Sequence, residues 1–287
     1  MLSSILGEHE TERAFAMDVA PGAKGGPKRK QIPAIRRLPP GQFFATMPVA
    51  CPYLPGRAER KLIVELGGGG STEFYDELSR MGFRRSHRFA YRPACRGCAS
   101  CVPVRIAVER FCHTRSTRRV RNANRDLTTR LVAARATPEQ FRLFAAYQRS
   151  RHADSDMATM RYGDYQMMVE DTSVRTAIAE FREASGGLVA AALIDLLDDG
   201  ISAVYSFYDP HHKKRSLGIW SVLWLVEECR RRGQPFVYLG YWIADSPKMA
   251  YKERFPALEH LAAGVWKTFV PPRVSPLPFP PPHAGEG

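Results

Sequence analysis

Three cysteines, each separated from the next by two residues, are the clearest chemical signal in this sequence. Cys95, Cys98 and Cys101 lie in the run Cys-Arg-Gly-Cys-Ala-Ser-Cys, and Cys51 lies upstream in Cys-Pro-Tyr-Leu-Pro-Gly-Arg. Gly97 permits a tight turn, so that neighbouring sulfurs can converge. Convergent thiolates ligate zinc or an iron–sulfur centre, and these four cysteines could supply four ligands. Metal-binding cysteines usually come as two separate pairs, whereas these three cysteines are spaced so that the pairs overlap. The alternative is a reduced, partly buried cysteine knuckle that shapes a binding surface.

The second signal is a dense group of arginines. Nine arginines lie between Arg105 and Arg135, against two acids, Glu109 and Asp126. We interpret residues 116–130 as a basic helix whose guanidinium groups form a surface for an RNA backbone, because guanidinium binds phosphate bidentately. A solvated helix face is the alternative interpretation. The predicted phosphate-contacting residues of this stretch are Arg115, Arg118, Arg119, Arg121 and Arg125.

Aromatic side chains gather in two further runs. Tyr238-Leu-Gly-Tyr-Trp-Ile ends a predicted strand, and Lys248-Met-Ala-Tyr-Lys follows as a short predicted helix. Tyr205-Ser-Phe-Tyr-Asp ends another strand. Rings at strand ends could line an acyl pocket or accept a stacked base, with core packing as the alternative.

The elements that must position these residues form an α+β pattern. The predicted strands of the second half are 174–181, 188–197, 201–208 and 236–239, with a helix over 216–232. An Asp-Gly pair at 199–200, flanked by apolar runs, predicts a hairpin. Antiparallel strands, then a helix, then another strand is the order of GNAT-type acyltransferases, although a fold does not establish a reaction.

The first half is predicted to be a smaller α+β domain that contains the cysteines. A strand over 61–66 precedes a helix that begins at Ser71 and ends at Gly82, and a capping box opens another helix at Thr137. We place the domain boundary near Ala136. The predicted divisions are a disordered basic arm (1–38), an N-terminal transferase domain (39–136), a GNAT-like domain (137–273) and a disordered proline-rich tail (274–287).

Composition limits the function classes. The chain carries a formal charge of +13 with 44% hydrophobic residues, which excludes a wholly disordered protein and favours a polyanionic partner. The longest apolar run is too short to cross a bilayer, and no apolar signal core is found at the N-terminus. We therefore expect a cytoplasmic protein with no membrane partner.

The cysteine segments resemble the N-terminal domain of the aminoacyl-tRNA–protein transferases, in the bacterial aspartate/glutamate leucyltransferase branch of the arginyl-tRNA–protein transferase family. The two aromatic runs are similar to the same family, so the resemblance covers residues 42–266. It implies transfer of leucine from leucyl-tRNA to the α-amine of proteins that begin with Asp or Glu, which marks them for degradation. Transfer is expected to need no cofactor, although some relatives are associated with a metal centre in the cysteine domain.

A basic loop ahead of the predicted helix 216–232 argues against CoA as the acyl donor. Residues 211–218 include Lys213, Lys214 and Arg215, which with the amides of the helix start would hold an anion, here tRNA. In acyl-CoA-dependent relatives this loop ends on a small residue, where this chain has Trp220. The indole should crowd the pyrophosphate-bearing arm of CoA, which favours a charged tRNA as the donor.

The implied reaction suggests roles for individual residues. An acidic first residue calls for a cation in a partly dry pocket, and Arg92, Lys248 and Lys252 are the candidates. The full predicted substrate-binding set is Arg92, Trp242, Lys248, Tyr251 and Lys252. Tyr205 and Tyr238 are the predicted catalytic residues, as hydrogen-bond donors to the oxyanion or the amine. Arginyl transfer, a CoA-dependent N-acetyltransferase and a non-catalytic RNA-binding protein remain the alternatives.

Overall fold

A computed structural model describes residues 41–68, 70–153 and 155–271. The basic arm (1–38) and the proline-rich tail (274–287), for which disorder was predicted, both lie outside these residues. The strands in chain order are β1 (Phe43–Ala45), β2 (Val49–Ala50), β3 (Ala58–Glu59), β4 (Lys61–Glu65), β5 (Arg84–Ser86), β6 (Phe89–Pro93), β7 (Val102–Ala107), β8 (Thr128–Ala133), β9 (Thr176–Arg182), β10 (Leu188–Leu196), β11 (Gly200–Tyr208), β12 (Phe236–Trp242), β13 (Leu258–Ala262) and β14 (Val265–Thr268). The helices are α1 (Ser71–Arg80), α2 (Arg115–Ala123), α3 (Pro138–Arg151), α4 (Tyr162–Glu170), α5 (Leu217–Arg231) and α6 (Pro247–Ala250).

The N-terminal part is a four-stranded sheet, ordered β1-β4-β6-β5, that packs on helix α1. Tyr75 and Leu78 lie on the same face of α1, because they are three residues apart, and both are fully buried. The helix ends where Gly82 takes a φ of +84°, a conformation that favours glycine. Ser71 is the first helical residue, and its hydroxyl donates to the Gly68 carbonyl at 2.7 Å.

An eight-stranded sheet, ordered β14-β13-β7-β12-β11-β10-β9-β8, forms the rest of the core. Strands β9, β10 and β11 are antiparallel neighbours, and α5 connects β11 to the parallel strand β12. The predicted Asp-Gly hairpin joins β10 to β11. The predicted α+β, GNAT-like order of antiparallel strands, helix and strand is therefore confirmed.

The large sheet takes strands from both sides of Ala136, the predicted domain boundary. Strand β7 pairs with β12 and β13, and β8 pairs with β9. The sheet hydrogen bonds thus connect the two predicted domains directly.

The predicted basic helix over 116–130 is wrong in its second half. Helix α2 ends at Ala123, where the side-chain amide of Asn124 donates to the carbonyls of Val120 and Arg215, both at 2.8 Å. The β-branched pair at 128–129 then opens strand β8, which covers the edge of β9. Tertiary pairing outweighs helix propensity here because β9 would otherwise present an unpaired edge.

Among the helices of the described residues, none is both long and apolar enough to span a membrane.

Candidate functional site

Strands β11 and β12 part shortly after they begin, and Arg84 of β5 lies in the gap. The two strands pair only from Gly200 to Ser202 on the β11 side. Beyond that point Arg84 Nη2 donates to the carbonyl oxygens of Ala203 and Val204. The small sheet therefore places a guanidinium group inside the large sheet.

Gly240 makes room for this guanidinium on the β12 side. The register of β12 shifts between Tyr238 and Gly240, and Gly240 has a φ of +74°. A β-carbon at this position would lie 2.8 Å from Cζ and Nε of Arg84. Any side chain at 240 would therefore be strained and would displace the arginine.

The charge of Arg84 lowers the pKa of four tyrosines and one lysine, which places them in its neighbourhood, and we call this group the Arg84 cluster: Arg84, Tyr53, Tyr75, Tyr241, Tyr251 and Lys252. Burial raises the pKa of Tyr75 to about 12 and that of Tyr241 well above its ordinary value, while the charge of Arg84 acts in the opposite direction. The tyrosine hydroxyls therefore stay protonated at neutral pH and cannot neutralise the arginine.

Lys252, predicted to bind an acidic side chain, lies inside the protein. The residue is 7% exposed, and its Nζ donates to the Tyr241 carbonyl and lies 3.3 Å from Met249 Sδ. Burial, and secondly the charge of Arg84, lower the pKa of Lys252 to about 7. An amine that is about half neutral at pH 7 and already bonded to a backbone carbonyl is poorly suited to attract a carboxylate from solvent. The geometry therefore argues against Lys252 as the residue that binds the acidic side chain.

The four predicted metal-ligating cysteines lie in one neighbourhood beside the Arg84 cluster. Burial raises the pKa of the Cys101 thiol to about 12, and Cys95, Cys51 and Cys98 add to the effect. The pKa of Cys98 falls to about 7, first through its contact with Ser100 and then through Arg57 Nη1, 3.3 Å from the sulfur. These thiols are all free and are half-buried, as the reduced-knuckle alternative requires.

The metal hypothesis gains no support from this geometry. In residues 41–68, 70–153 and 155–271, no group of three or more His, Cys, Asp or Glu side chains is arranged to hold a metal ion. Cys98 instead contacts Arg57, and the Cys95 sulfur accepts from the Arg60 amide at 3.4 Å. Zinc or an iron–sulfur centre at these cysteines stays a prediction, and we derive no chemical step through one.

The two predicted catalytic tyrosines lie in different hydrophobic clusters. The Tyr238 hydroxyl donates to Asp199 Oδ2 at 2.9 Å and accepts from Arg105 Nη1 at 3.3 Å, within the core beneath α1. The Tyr205 hydroxyl accepts from Gln148 Nε2 at 2.7 Å, on the side of the sheet that α3 covers. The Tyr238 hydrogen is therefore already used by Asp199, whereas Tyr205 keeps its O–H but lies in a different cluster from Tyr238, so the two hydroxyls cannot act on one substrate group together.

The remaining predicted substrate-binding residues are also dispersed. Trp242 is a core residue whose Nε1 donates to the Ala250 carbonyl at 3.3 Å. The Arg92 guanidinium lies 5.2 Å above the ring of Phe83. Lys248 is exposed. Of the predicted substrate-binding set, only Tyr251 and Lys252 belong to the Arg84 cluster.

The predicted tRNA-binding residues do form one basic surface, apart from Arg215. Arg215 is neutralised by Asp126 through two bonds of 2.8 Å. Asn124 ties the turn that carries Lys213 and Lys214 to helix α2. The residues of this surface that are exposed and make no ion pair with any described residue are Arg115, Arg118, Arg119, Arg121, Arg125, Lys213 and Lys214.

A cleft of about 450 Å³ opens between α2 and α5 on this surface. Arg121 and Arg125 lie on one wall, and the indoles of Trp220 and Trp224 lie on the other. Trp220, predicted to crowd a CoA arm, thus lines a cleft beside the arginines. Aromatic faces next to free guanidinium groups suit an unstacked nucleobase and its phosphate.

Sequence reasoning missed four members of the Arg84 cluster, and of these Tyr75 lies outside every motif that was singled out. Arg84 and Tyr53 lie within the two cysteine-containing motifs, and Tyr241 lies within the aromatic run. Their presence in these motifs was the available signal. No pattern in the sequence shows that β5 meets the gap between β11 and β12.

The fold and the site together define a GNAT-like acyltransferase domain joined through its sheet to a small cysteine-containing domain. Residues 49–119 and 139–262 match two family models, described as the N terminus and the C terminus of arginine-tRNA-protein transferase. The chain is 53% identical over 232 residues to an aspartate/glutamate leucyltransferase of Paramagnetospirillum magneticum, covering 81% of this chain and 95% of that protein. It is 54% identical to the one of Rhodospirillum rubrum, covering 80% and 94%. The chain belongs to the aspartate/glutamate leucyltransferase family.

A solved structure of L-PGS from Bacillus licheniformis is similar at a TM-score of 0.40, with 11% identity over 63% of this chain and 52% of that one. This similarity is too distant to support an argument about function.

Proposed function

We propose that this protein transfers leucine from leucyl-tRNA to the α-amine of proteins that begin with Asp or Glu, and thereby marks them for degradation. The observation that carries the proposal is the 53% identity to a protein of that name over 95% of its length. The acidic acceptor, the leucyl donor and the degradative outcome are the parts that need experiment.

The reaction is aminolysis of an ester. The acceptor nitrogen attacks the carbonyl carbon of the aminoacyl ester, the new C–N bond forms, and the C–O bond to the terminal ribose of tRNA breaks. The nitrogen loses a proton and the ribose oxygen gains one. An α-amine has an ordinary pKa of roughly 8, so a useful fraction is already neutral at pH 7. The protein therefore needs chiefly to hold the two substrates together and to stabilise the developing oxyanion.

The basic surface supports a tRNA donor. Seven of its cations are exposed and lack ion pairs among the described residues, so each can contact phosphate without first breaking a salt bridge. The cleft with Trp220 and Trp224 adds a place for a base beside those phosphates. Neither feature is needed by an enzyme that uses a small acyl donor.

Arginyl transfer is the second candidate, because both matching family models carry the description arginine-tRNA-protein transferase. A transfer assay separates the two. Purified protein is given peptides that begin with Asp, Glu or Ala, with labelled leucyl-tRNA or arginyl-tRNA in separate reactions. We expect leucine on the acidic peptides only. Arginine on those peptides would change the donor, and acetylation from acetyl-CoA without aminoacyl transfer would overturn the class.

A further inference from the structure

Arg84 is a half-buried cation that forms no ion pair with any described residue. Its Nη2 bonds two backbone carbonyls, while its Nη1 is buried and has no hydrogen-bond partner in the described part of the protein. The neighbouring side chains are protonated tyrosines and Lys252, none of which carries negative charge at neutral pH. A charge withdrawn from water without a counter-ion is costly, and an anion bound beside the buried Nη1 would offset that cost.

The next residue shows how this fold balances a buried arginine. Arg85 is wholly buried, and both of its bonds to Asp195 are 2.8 Å long. The charge of Asp195 raises the pKa of Tyr75, and the charge of Arg84 lowers it, so both charged groups lie near this tyrosine. Arg85 already forms two hydrogen bonds with the Asp195 carboxylate, and Asp195 forms no ion pair with Arg84. Of these two adjacent arginines, only Arg85 has a carboxylate partner among the described residues.

We propose that Arg84 binds the side-chain carboxylate of the acceptor's first residue and so sets the preference for Asp and Glu. This assignment rests on the proposed function. A carboxylate can accept from the free Nη1 and supplies the missing negative charge, whereas the amide of Asn or Gln supplies no charge. The Nη1 atom is buried, as are the neighbouring Tyr75 and Tyr241, and an ion pair formed in such a place is stronger than one in solvent.

The position of Arg84 also fits the reaction. The guanidinium lies where β11 and β12 part, and Gly240 is held in a left-handed conformation beside it. A first residue anchored there by its side chain would present its α-amine at the same opening. Arg92, the exposed Lys248 and the carbonyl-bonded Lys252 lack this combination of free donor and excluded water.

The test compares Arg84→Gln and Arg84→Lys with the matched control Arg142→Gln, a change at an exposed arginine of α3 to which no role is assigned. Each full-length protein is assayed for kcat and KM with four peptides that differ only in a first residue of Asp, Asn, Glu or Gln, at saturating leucyl-tRNA. Thermal unfolding of each variant reports whether it is folded. We expect Arg84→Gln to lower kcat/KM for the Asp and Glu peptides by about 100-fold, chiefly through KM, and to change the Asn and Gln peptides less than about threefold.

Arg84→Lys keeps the charge but cannot form the same fork of bonds, so the acidic preference should fall by at least about tenfold. This variant decides the question if Arg84→Gln is unfolded. Arg142→Gln should keep the wild-type preference. The assignment is overturned if folded Arg84 variants keep the Asp-to-Asn ratio, if all four peptides weaken equally, or if the KM for leucyl-tRNA rises instead, which would place a phosphate there. Absence of leucine transfer by the wild-type protein is a different failure, that of the proposed function, and it removes the basis for the assignment.

Discussion

The buried amine of Lys252 gives a prediction whose size follows from its surroundings. Its pKa is about 7 in the folded protein, against 10.5 for a free lysine, because burial and the charge of Arg84 oppose protonation. Between pH 7 and 10.5 the unfolded chain binds the proton more tightly than the folded chain does. The free energy of unfolding therefore rises with pH across this window. Below pH 7 both states are protonated, so this contribution no longer changes with pH and the destabilisation is at its largest. Each pKa unit corresponds to about 1.4 kcal/mol, so the destabilisation is about 4 kcal/mol at pH 7 and about 2 kcal/mol at pH 9.

Lys252→Met removes the titrating group and keeps an unbranched apolar side chain. The variant also loses the bond from Nζ to the Tyr241 carbonyl, which costs about 1–3 kcal/mol at every pH. We therefore expect it to be more stable than the wild type at pH 7 and close to it at pH 9. The pH-dependent change between the two proteins, about 2 kcal/mol, does not depend on the size of the lost bond.

Urea unfolding of both proteins at pH 7, 8 and 9 measures this change directly. Lys248→Met is the matched control, because Lys248 is exposed and lies four residues earlier in the chain. Its stability difference from the wild type should stay constant across the series. A difference for Lys252→Met that varies by less than about 0.5 kcal/mol from pH 7 to 9 would refute the depressed pKa and the dry environment inferred from it.

Three further predictions concern other parts of the molecule. Arg121→Gln should raise the KM for leucyl-tRNA several-fold and reduce the slope of log affinity against log salt by about 1, measured by filter binding from 50 to 200 mM salt; an unchanged slope would contradict a phosphate contact. Cys98 should be alkylated by iodoacetamide with a midpoint near pH 7, while Cys101 stays protected until the protein unfolds, as read by peptide mass spectrometry. Equal reactivity of the two thiols would be inconsistent with their different surroundings. Asp195→Asn should lower the free energy of unfolding by about 3–5 kcal/mol, because it leaves the Arg85 charge buried and unpaired; a loss below 1 kcal/mol in urea unfolding would argue against that ion pair.

Local patterns were enough to predict most of the elements. The capping box at Thr137 opens α3, and the Asp-Gly pair joins β10 to β11. Both signals are local, since a cap and a tight turn are decided by residues next to one another. The second half of the predicted basic helix failed because strand β8 depends on the edge of β9, which comes about 50 residues later in the chain.

The candidate site was harder to predict because its members come from distant parts of the chain. The predicted cation Lys252 and the predicted ring Tyr251 do lie in the Arg84 cluster, since one short segment carries both. Arg84 is the central member, but nothing in its own neighbourhood of sequence distinguishes it from Arg85. Only the sheet pairing shows that one of the two arginines finds a carboxylate and the other does not.

The sheet pairing also explains why the cysteine-containing part and the acyltransferase part act as one unit. Strand β7 begins one residue after Cys101 and pairs with β12, the strand that carries Gly240 and Tyr241. The register between β7 and β12 therefore determines where Cys101 lies relative to Gly240, beside which the Arg84 guanidinium lies. Because Arg84 and β7 both lie before the predicted boundary, a GNAT-like domain that began after Ala136 would lack the cation at the opening and would have an unpaired β12 edge. The small domain thus supplies Arg84 to the candidate site.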